Sequence, residues 1–381
     1  MRIGIDFHSA EREGSGNCTY IRNLVEALLQ IDRENEYYLY VTDRKYPYYE
    51  KFSGIANVKF CLTRSHNPFI RIPWLGIRTF FDKIDLLHVQ YIAPPFHRGK
   101  LVVTIHDLSF LRFPECFRPL ERFRLKKLIP RDIKKADKIL TISQYSRRDI
   151  MDSYHLTTGK VVVTYPGTNQ IFQTREYGKE GKEILEHYGI LDKYILFVGR
   201  INARKNVSAL IEAFFLLKQE KNFPHKLVIV GKKDFLPGEV GRKLASARQS
   251  KDVIFTGFVL EDHLPLIYSS AEVFVYPSRY EGFGLPCLEA MACGCPVVSV
   301  NISSIPEVVG DAGLLIQNWN EKELADTVYR IISDSVLREE LRAKGFRQAK
   351  LFTWEETARK TLEVYQRVGL NFSRYKKNED M

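Results

Sequence analysis

The sequence predicts an α/β protein of two domains, each a doubly wound parallel sheet with helices on both faces. Three observations support this prediction. The chain has 381 residues, more than one hydrophobic core usually organises. Short apolar runs rich in β-branched residues alternate with longer helical patterns along most of the chain. A polar stretch, Gln173–Lys182, separates two such series and is typical of an interdomain linker.

Many of the apolar runs are almost continuous, as in Leu101–Ile105 and Leu227–Val230. This pattern is typical of parallel strands that are covered on both faces. The strands predicted in the first series are Arg2–Phe7, Tyr37–Thr42, Val58–Leu62, Leu86–Gln90, Leu101–His106, Lys138–Ser143 and Val161–Tyr165. The strands predicted in the second series are Tyr194–Gly199, Lys226–Val230, Val253–Phe258, Val273–Tyr276, Val297–Val300 and Leu314–Ile316. Two helical stretches, Glu321–Lys350 and Trp354–Val368, follow them.

The linker predicts an N-terminal domain over residues 1–172 and a C-terminal domain over residues 173–353. Ligands of open α/β sheets bind beyond the carboxyl ends of the strands. Two such domains are therefore expected to face each other across a central cleft that holds the chemistry.

The positive charge of the chain is concentrated in its first half. The whole chain carries 57 Lys and Arg against 46 Asp and Glu, and residues 1–170 hold 27 of the former and 18 of the latter. Such a bias indicates an anionic partner, namely a membrane surface, a phosphorylated lipid or a nucleic acid. A soluble protein with a basic pI and no such partner is the alternative.

A basic helix is predicted over Pro119–Lys138, and residues 118–138 contain nine Lys and Arg against three acidic residues. Leu120 and Phe123 begin an apolar stripe on it. This composition is compatible with peripheral contact between residues 118–138 and an anionic membrane. A helix packed on its sheet, with a solvated basic face, is the alternative.

The sequence favours a cytoplasmic protein. Met1–Asp6 runs directly into the first predicted strand, with no secretion signal before it. No window approaches the roughly 20 apolar residues of a membrane-spanning helix. The six cysteines lack metal-ligand spacing and are expected to be free thiols. The basic helix extends the expected location to the inner face of the membrane.

The segment Glu281–Glu289 has the strongest chemical signal. A strand ending at Tyr276 leads into a glycine loop and then a helix with Pro286 in its first turn. Free amides at a helix start bind anions, and the two carboxylates can accept hydrogen bonds from sugar hydroxyls. A plain strand–loop–helix turn with a surface glutamate is the alternative.

A second motif, Gly199–Asn206, follows another predicted strand and contains Arg200, Arg204 and Lys205. Fixed cations at the carboxyl end of a strand could neutralise a pyrophosphate and stabilise its charge as it leaves. A basic loop that faces solvent is the alternative.

Two further features lie in the first half. Gly14, Ser15 and Gly16 follow the first strand, where small residues let a ligand approach the backbone, although a tight turn without a ligand explains them as well. His106 ends another predicted strand. It could orient a hydroxyl group, move a proton or make a structural hydrogen bond.

Taken in order, these motifs resemble the retaining family 4 glycosyltransferases, which have the GT-B fold of two Rossmann-like domains. Glu281 and Glu289 match their E-x7-E motif, and the resemblance covers nearly the whole chain. The segments that carry it are Met1–Asp6, Gly14–Asn17, Thr104–Asp107, Lys138–Ser146, Tyr165–Gly167, Gly199–Asn206, Pro277–Glu289 and Met291–Val297. The similarity is greatest to mannosyltransferase-like members that build cell-surface polysaccharides.

The resemblance implies roles for individual residues. Arg200 and Lys205 would hold the donor diphosphate, and Glu289 would bind the donor ribose. Glu281 would hold the transferred sugar, and His106 would line the reaction centre. The other donor-binding positions implied are the amides of Phe283, Gly284 and Leu285, the loop Gly14, Ser15 and Gly16, and Gly231, Lys232 and Val259 near the nucleobase.

The resemblance also implies the chemistry. A hexose, with mannose from GDP-mannose favoured over UDP-hexoses, would move with retention to a glycan or lipid-linked acceptor. No metal or other cofactor is expected. The C-terminal helix 354–381 would complete the N-terminal acceptor domain, and residues 173–353 would bind the donor.

Three alternatives remain open. A nucleotide-sugar epimerase could share this fold, and so could a glycan phosphorylase, although no lysine is marked as a carrier of pyridoxal phosphate. A non-enzymatic nucleic-acid binder would explain the basic half. The chain lacks a recognised nucleic-acid-binding module, so no nucleic-acid partner is expected.

Overall fold

The computed structural model describes residues 1–63, 65–174, 178–221, 223–232, 238–317 and 320–379. Within these residues the chain forms two compact units. The first unit consists of residues 1–111, 118–167 and 353–381, and the second of residues 112–117 and 168–352.

The first unit contains, among the described residues, a parallel sheet of seven strands in the order β3-β2-β1-β4-β5-β6-β7. These strands are β1 Arg2–Asp6, β2 Glu36–Val41, β3 Val58–Leu62, β4 Leu86–Gln90, β5 Lys100–Thr104, β6 Lys138–Thr141 and β7 Val161–Val163. Its helices are α1 Gly16–Ile31, α2 Pro68–Phe81, α3 Ser109–Arg112, whose last residue belongs to the second unit, α4 Pro119–Lys135, α5 Gln144–Tyr154 and α14 Trp354–Glu379.

The second unit repeats the pattern with six parallel strands in the order β10-β9-β8-β11-β12-β13, counted over its described residues. They are β8 Tyr194–Val198, β9 Lys226–Val230, β10 Val253–Gly257, β11 Val273–Tyr276, β12 Val297–Val300 and β13 Gly313–Ile316. Its helices are α6 Gly178–His187, α7 Val207–Lys221, α8 Gly238–Gln249, α9 Leu264–Ser269, α10 Leu285–Ala292, α11 Ile305–Val309, α12 Glu321–Ser333 and α13 Ser335–Ala349.

The predicted class of two doubly wound parallel sheets is thus confirmed, and each predicted strand exists. The cores explain why. Strands such as β8 and β11 are buried at every position, which matches their continuous apolar sequences.

The division between the units differs in detail from the expected one. The boundary lies between Gly167 and Thr168 rather than after residue 172, and residues 112–117 group with the second unit. The expected linker Gln173–Lys182 includes 175–177, which lie outside the described residues, and α6 already begins at Gly178.

The last helix, α14, belongs to the first unit. It packs against α1, and its buried Tyr365 hydroxyl lies 2.6 Å from Nδ1 of His88 on β4. The helix continues to Glu379, beyond the stretch Trp354–Val368 that the sequence pattern predicts. Among the described residues, no helix has the length and apolar character needed to cross a membrane.

The stretch Glu321–Lys350, predicted as one helical run, is divided at Asp334. The Asp334 carboxylate accepts a hydrogen bond of 2.9 Å from the amide of Leu337. This is an N-cap, which begins a new helix because it satisfies an amide that has no intrahelical partner.

Candidate functional site

The main candidate site lies at the carboxyl edge of the second sheet, where the strand order reverses. β8 and β11 are neighbours there, and the chain continues from them toward opposite edges of the sheet. The loops that follow two such strands diverge and leave a crevice in which ligands bind. The motif Gly199–Asn206 is the loop after β8, and the motif Glu281–Glu289 comprises the end of the loop after β11 and the first turns of α10.

Backbone contacts join the two loops. The amide of Arg279 donates to the carbonyl oxygen of Arg204 at 2.9 Å. The guanidinium of Arg204 donates to the carbonyl oxygen of Tyr280 at 2.7 Å. The sequence placed both motifs at the carboxyl edge, and the fold brings them into direct contact.

Lys205 and Glu281 form a buried ion pair. The Lys205 Nζ lies 2.6 Å from Oε1 of Glu281, and the residues are 7% and 6% exposed. Arg204 approaches the other carboxylate oxygen, with Nη1 at 3.2 Å from Oε2. Lys205 also donates a hydrogen bond to the Tyr276 hydroxyl group.

The electrostatics of this cluster favour a bound anion. Burial alone would raise the pKa of Glu281, but Arg204 and Lys205 outweigh it and hold that pKa well below its ordinary value. Burial lowers the pKa of Lys205, and Glu281 opposes the change. One carboxylate therefore faces two cations, and exposed Arg200 adds a third positive charge on the same loop. The local surplus of positive charge suits a diphosphate.

The local sequence explains how Lys205 is aimed. The Asn202 side chain accepts a hydrogen bond of 3.2 Å from the Lys205 amide and caps the short turn Ala203–Lys205. Asn206 then adopts a left-handed conformation with φ of 52°, which ends the turn and starts α7. Asparagine tolerates that conformation better than most residues.

The loops after β8 and β9 approach each other at Gly231. A Cβ atom on this glycine, whose φ is 134°, would lie 2.1 Å from the carbonyl oxygen of Gly199. The Ile201 amide donates to the carbonyl oxygen of Lys232 at 3.0 Å. Gly231 and Lys232, proposed from the sequence for the nucleobase, thus border the Arg200 loop.

The side chain of Lys232 is exposed, and its Nζ lies 4.9 Å from the centre of the Phe258 ring. Val259 follows Phe258 and is buried. The exposed Phe258 ring and the Lys232 cation form an aromatic and charged border beyond β9 and β10. Such a surface can stack on a planar base.

The glycine loop before α10 is fixed by two serines. Ser304 Oγ donates to the carbonyl oxygens of Glu281 and Phe283 at 2.9 and 2.8 Å, and the Glu281 amide donates to Ser303 Oγ at 2.9 Å. Gly284 has φ of 111°, and a Cβ there would lie 2.8 Å from Cδ1 of Ile305. The loop is therefore held in one conformation.

α10 begins at Leu285. As at every helix start, its first amide groups have no carbonyl acceptor one turn earlier in the helix. These amides and the positive end of the helix dipole favour an anion or a sugar oxygen. The Phe283 side chain is buried against Phe352, with ring centres 5.5 Å apart. The side chain of Phe283 is therefore structural, and only its backbone could serve a ligand.

Glu289 lies on α10 and is partly exposed. Its Oε2 accepts a hydrogen bond of 2.9 Å from the hydroxyl of Tyr268. Burial raises the pKa of Glu289 to about 7, against the opposing effect of that hydrogen bond. A ligand that donates hydrogen bonds to this carboxylate would favour its charged form.

The remaining candidate residues lie in the first unit, beyond β1 and β5. Gly14 has φ of 73°, and the Ser15 hydroxyl accepts from the Cys18 amide at 3.3 Å, which caps α1. Gly16 is the first residue of α1. The glycine–serine loop thus ends at a helix N-terminus, where a phosphate or a polar acceptor group could bind.

His106 is buried at the carboxyl edge of the first sheet. Its Nε2 lies 2.7 Å from Oε1 of Gln90, and its ring contacts the Tyr20 ring edge-on with centres 4.6 Å apart. Burial lowers the pKa of His106 to about 3. The imidazole is therefore neutral near pH 7, which favours an orienting role over the proton-transfer role considered from the sequence.

Sequence reasoning did not find several residues that build the site. Tyr276, Tyr268, Ser303 and Ser304 hold Lys205, Glu289 and the glycine loop through contacts distant in sequence. Tyr276 is the last residue of β11, so its position at the carboxyl edge was the one available signal.

Comparisons with known proteins agree with this architecture. Residues 15–170 match the family described as Glycosyltransferase Family 4, and residues 192–334 match the family described as Glycosyl transferases group 1. The O-antigen chain mannosyltransferase B of Escherichia coli is 33% identical over 293 residues, which is 76% of each chain.

Two solved structures share the fold. The sucrose-phosphate synthase from Thermosynechococcus elongatus has a TM-score of 0.75 and 20% identity, with 97% of this chain and 99% of that chain covered. The Anabaena protein Alr3699/HepE in complex with UDP-glucose has a TM-score of 0.73 and 17% identity, with 96% and 99% covered. The two-sheet fold, the ordered motifs and the identity to the mannosyltransferase lead to one conclusion: the chain is a mannosyltransferase-like member of the family 4 glycosyltransferases, enzymes of the GT-B fold.

Proposed function

We propose that this enzyme is a retaining mannosyltransferase that uses GDP-mannose and extends a glycan or lipid-linked acceptor of a cell-surface polysaccharide such as lipopolysaccharide. The observation that carries the proposal is the Lys205–Glu281 pair beside Arg204, at the reversal of strand order and before α10. The choice of mannose is supported by the relative that is 33% identical and is named an O-antigen chain mannosyltransferase.

Arg200 and Lys205 bind the donor diphosphate in this proposal, and Arg204 adds to their field. The Lys205 ammonium has three N–H donors, of which Tyr276 and Glu281 accept two. Its position is thus fixed before the donor arrives. A preorganised cation costs little reorganisation when charge develops on the leaving group, and one such contact is worth about 10² to 10³ in rate.

Glu281 and the backbone of Phe283, Gly284 and Leu285 hold the transferred sugar. A carboxylate has about four acceptor sites, so the contacts of Glu281 with Arg204 and Lys205 are compatible with further bonds from sugar hydroxyls. Glu289 accepts hydrogen bonds from the ribose, while Gly231, Lys232 and Val259 border the base. These are roles for residues of the second unit.

The first unit serves the acceptor. Gly14, Ser15 and Gly16 offer a helix N-terminus to a phosphate or hydroxyl group, and neutral His106 orients a hydroxyl group at the reaction centre. The acceptor attacks the anomeric carbon on the face that the diphosphate leaves, which retains configuration. The departing diphosphate oxygen accepts the proton of the attacking hydroxyl. The cations of the loop, rather than a metal ion, balance the charge of the leaving group.

The test is a donor screen followed by product analysis. Ligand binding raises the apparent melting temperature. We expect GDP and GDP-mannose to raise it more than UDP and UDP-glucose, with transfer unchanged by EDTA and an α-linked mannose seen by NMR. A larger shift and transfer with UDP-hexoses would overturn the choice of donor. An inverted product would overturn the retaining mechanism.

One alternative has a specific observation in its favour. The Anabaena protein of the same fold is in complex with UDP-glucose, so a UDP-hexose is the second candidate donor. An epimerase of this fold would consume the donor without an acceptor. We expect no donor consumption above hydrolysis when the acceptor is omitted, and interconversion of the nucleotide sugar would identify the epimerase.

A further inference from the structure

Gln90 and His106 lie side by side at the carboxyl edge of the first sheet. Gln90 is the last residue of β4, and His106 follows the end of β5, the strand that pairs with β4. Both side chains are buried, and Nε2 of His106 lies 2.7 Å from Oε1 of Gln90. Gln90 therefore contacts the ring that orients a hydroxyl group in the proposed function.

The chemistry of this hydrogen bond determines where the proton of His106 lies. An amide oxygen can only accept a hydrogen bond, so the ring nitrogen that faces it must carry the proton. Burial lowers the pKa of His106 to about 3, so the ring holds a single proton near pH 7. Nδ1 then has a free lone pair and can only accept. Within the part of the chain that the structure describes, Nδ1 makes no hydrogen bond.

Two aromatic rings restrict the orientation of the imidazole. Tyr20 on α1 contacts it edge-on, with ring centres 4.6 Å apart. Tyr91 contacts it with ring centres 5.5 Å apart and an angle of 60° between the planes. Close packing of this kind limits the rotation of a buried side chain. The hydrogen bond to Gln90 therefore fixes which nitrogen stays available.

The backbone is strained where β4 ends. Tyr91 has φ of 63°, which is unusual for a residue with a large side chain. Its amide donates to the carbonyl oxygen of Thr104 at 2.9 Å, and the Ile92 amide donates to the carbonyl oxygen of Gln90 at 2.8 Å. This tight turn presents Gln90 and Tyr91 together to the His106 ring. Strain of this kind concentrates at functional sites, where the surrounding contacts maintain it.

The other half of the Gln90 amide has a cost for the fold. Its Nε2 group is buried and has no hydrogen-bond partner among the described residues. A buried donor without a partner is destabilising, and a side chain kept only for packing would not carry one. The amide is better explained by what its oxygen does for His106.

The two titratable side chains that influence the ring from α1 and β4 are Tyr20 and His88. Burial raises the pKa of Tyr20 and lowers the pKa of His88 to about 3. Both side chains are therefore neutral near pH 7. The position of the proton on His106 is thus determined by the hydrogen bond to Gln90 rather than by either of these groups.

We propose that Gln90 is a positioning residue, which holds the proton of His106 on Nε2 so that Nδ1 accepts a hydrogen bond from a hydroxyl group of the acceptor sugar. The proposal rests on the proposed function, because it assigns that hydroxyl group to the acceptor of mannose transfer. The group is a neighbour of the attacking hydroxyl, whose own proton goes to the departing diphosphate. A carboxylate or a fully ionised phosphate has no proton to donate and would not fit Nδ1.

The direct test is the tautomer of His106 in the full chain with isotope-labelled histidine, read from proton–nitrogen NMR correlations near pH 7. The variant His106→Asn identifies the signals. We expect the proton on Nε2 in the wild type. A wild-type ring protonated on Nδ1 would overturn the proposal, because the Gln90 amide would then donate to His106 instead of accepting from it.

Gln90→Leu removes the acceptor oxygen. A proton on Nε2 would then be buried without a partner, so we expect a substantial fraction of it to move to Nδ1. The matched control is Thr141→Val at the end of β6, where the buried Thr141 hydroxyl donates to the carbonyl oxygen of His106 at 3.4 Å. This control alters a contact with the His106 backbone but none with its ring, and it should keep the wild-type tautomer. Equal changes in both variants would assign Gln90 a structural role and overturn the proposal.

Transfer kinetics test the hydroxyl group. The acceptors are methyl α-mannoside and its monodeoxy analogues. The wild type should lose about tenfold in kcat/KM with the analogue that lacks the hydroxyl bound at Nδ1. Gln90→Leu should be about tenfold slower than the wild type with methyl α-mannoside, should not distinguish that analogue, and should keep the wild-type KM for GDP-mannose.

Two kinetic results would contradict the role of Gln90. One is a Gln90→Leu variant that discriminates among the analogues as the wild type does. The other is a loss confined to the KM for GDP-mannose, which would place the hydroxyl group on the donor. The absence of transfer by the wild type with all of these acceptors would count against the proposed function, whereas the tautomer would still decide whether Gln90 positions His106.

Discussion

Lys205 and Glu281 are 76 residues apart in sequence, yet they form an ion pair of 2.6 Å that is almost fully buried. Burying two charges costs several kcal/mol each, and their attraction offsets that cost only with good geometry. Such a pair is weak evidence for stability. Its position at the strand-order reversal, with Arg204 and Tyr276 beside it, is better explained by the binding of a charged ligand.

Substitutions in the Lys205–Glu281 pair should change the stability of the protein and its transfer activity independently. Glu281→Ala leaves Lys205 buried with a lost partner and is expected to reduce the free energy of unfolding by about 3–5 kcal/mol. Combining it with Lys205→Met removes the buried ammonium and should restore much of that loss, while transfer remains absent. Urea denaturation of both variants measures the difference. A double variant no more stable than Glu281→Ala would show that the buried charge is not the cause.

Glu289 should couple donor binding to pH. Its pKa near 7 is above the ordinary value of 4.5, so the free protein holds a proton there below pH 7. Ribose hydroxyls donate to the charged form, so the affinity for GDP-mannose, whose diphosphate has no group that titrates near pH 7, should rise with pH up to about 7 and then level off. The stability effect has the opposite sign. The raised pKa favours the protonated folded state, so this group loses stabilising effect as the pH rises from about 4.5 to about 7.

Calorimetric titration with GDP-mannose in buffers of different ionisation enthalpy measures this coupling. Near pH 6.5 the wild type should release a fraction of a proton on binding. Glu289→Gln cannot ionise, so its affinity should be lower and independent of pH in this range. A wild-type affinity that is constant between pH 5.5 and 8 would contradict the role of Glu289.

Gly231 should tolerate no side chain. In Gly231→Ala the new Cβ would collide with the carbonyl oxygen of Gly199, at 2.1 Å in the present backbone. We expect a loss of at least about 2 kcal/mol in the free energy of unfolding and weaker GDP binding, since the loop carrying Arg200 must move. Thermal denaturation and nucleotide titration measure the two effects.

Gly189→Ala is the matched control. Gly189 also has a positive φ, of 73°, but no atom lies within 4 Å of a Cβ built there. It should lose about 1–2 kcal/mol from backbone strain and retain nucleotide affinity. Equal loss of affinity in both variants would show that strain alone, rather than the contact with Gly199, disturbs the site.

Much of the fold could be predicted because strands that are buried on both faces have a recognisable, continuously apolar sequence. Strands such as Leu101–Ile105 are covered on both faces and read as continuous apolar runs. The predicted helix and domain boundaries are wrong where contacts of a particular side chain or of distant segments determine them. Asp334 interrupts a long helical pattern by capping a new helix, and Arg112 departs from the first unit although it ends α3.

The candidate site was predictable to the level of its loops. Lys205 and Glu281 each follow a strand, so the sequence placed both at a carboxyl edge. Their direct contact depends on the pairing of β8 with β11, and no local sequence pattern predicts that pairing. The hydrogen bonds from Ser304 to the carbonyl oxygen of Glu281 and from Tyr268 to Glu289 could not be predicted either. Both join segments that are distant in sequence.

In the proposed mechanism, Glu281 and its cations form the donor site for mannose transfer. The most direct test is the initial rate of transfer from GDP-mannose by the wild type, Glu281→Gln and Glu272→Gln. Glu272 is a matched control because its carboxylate also meets two cations, Arg338 at 2.7 Å and Lys193 at 3.1 Å, away from the loops of the site. We predict that Glu281→Gln lowers the rate about 10² to 10³-fold and that Glu272→Gln stays within about threefold of the wild type. A folded Glu281→Gln variant that transfers mannose at the wild-type rate would show that Glu281 does not hold the transferred sugar.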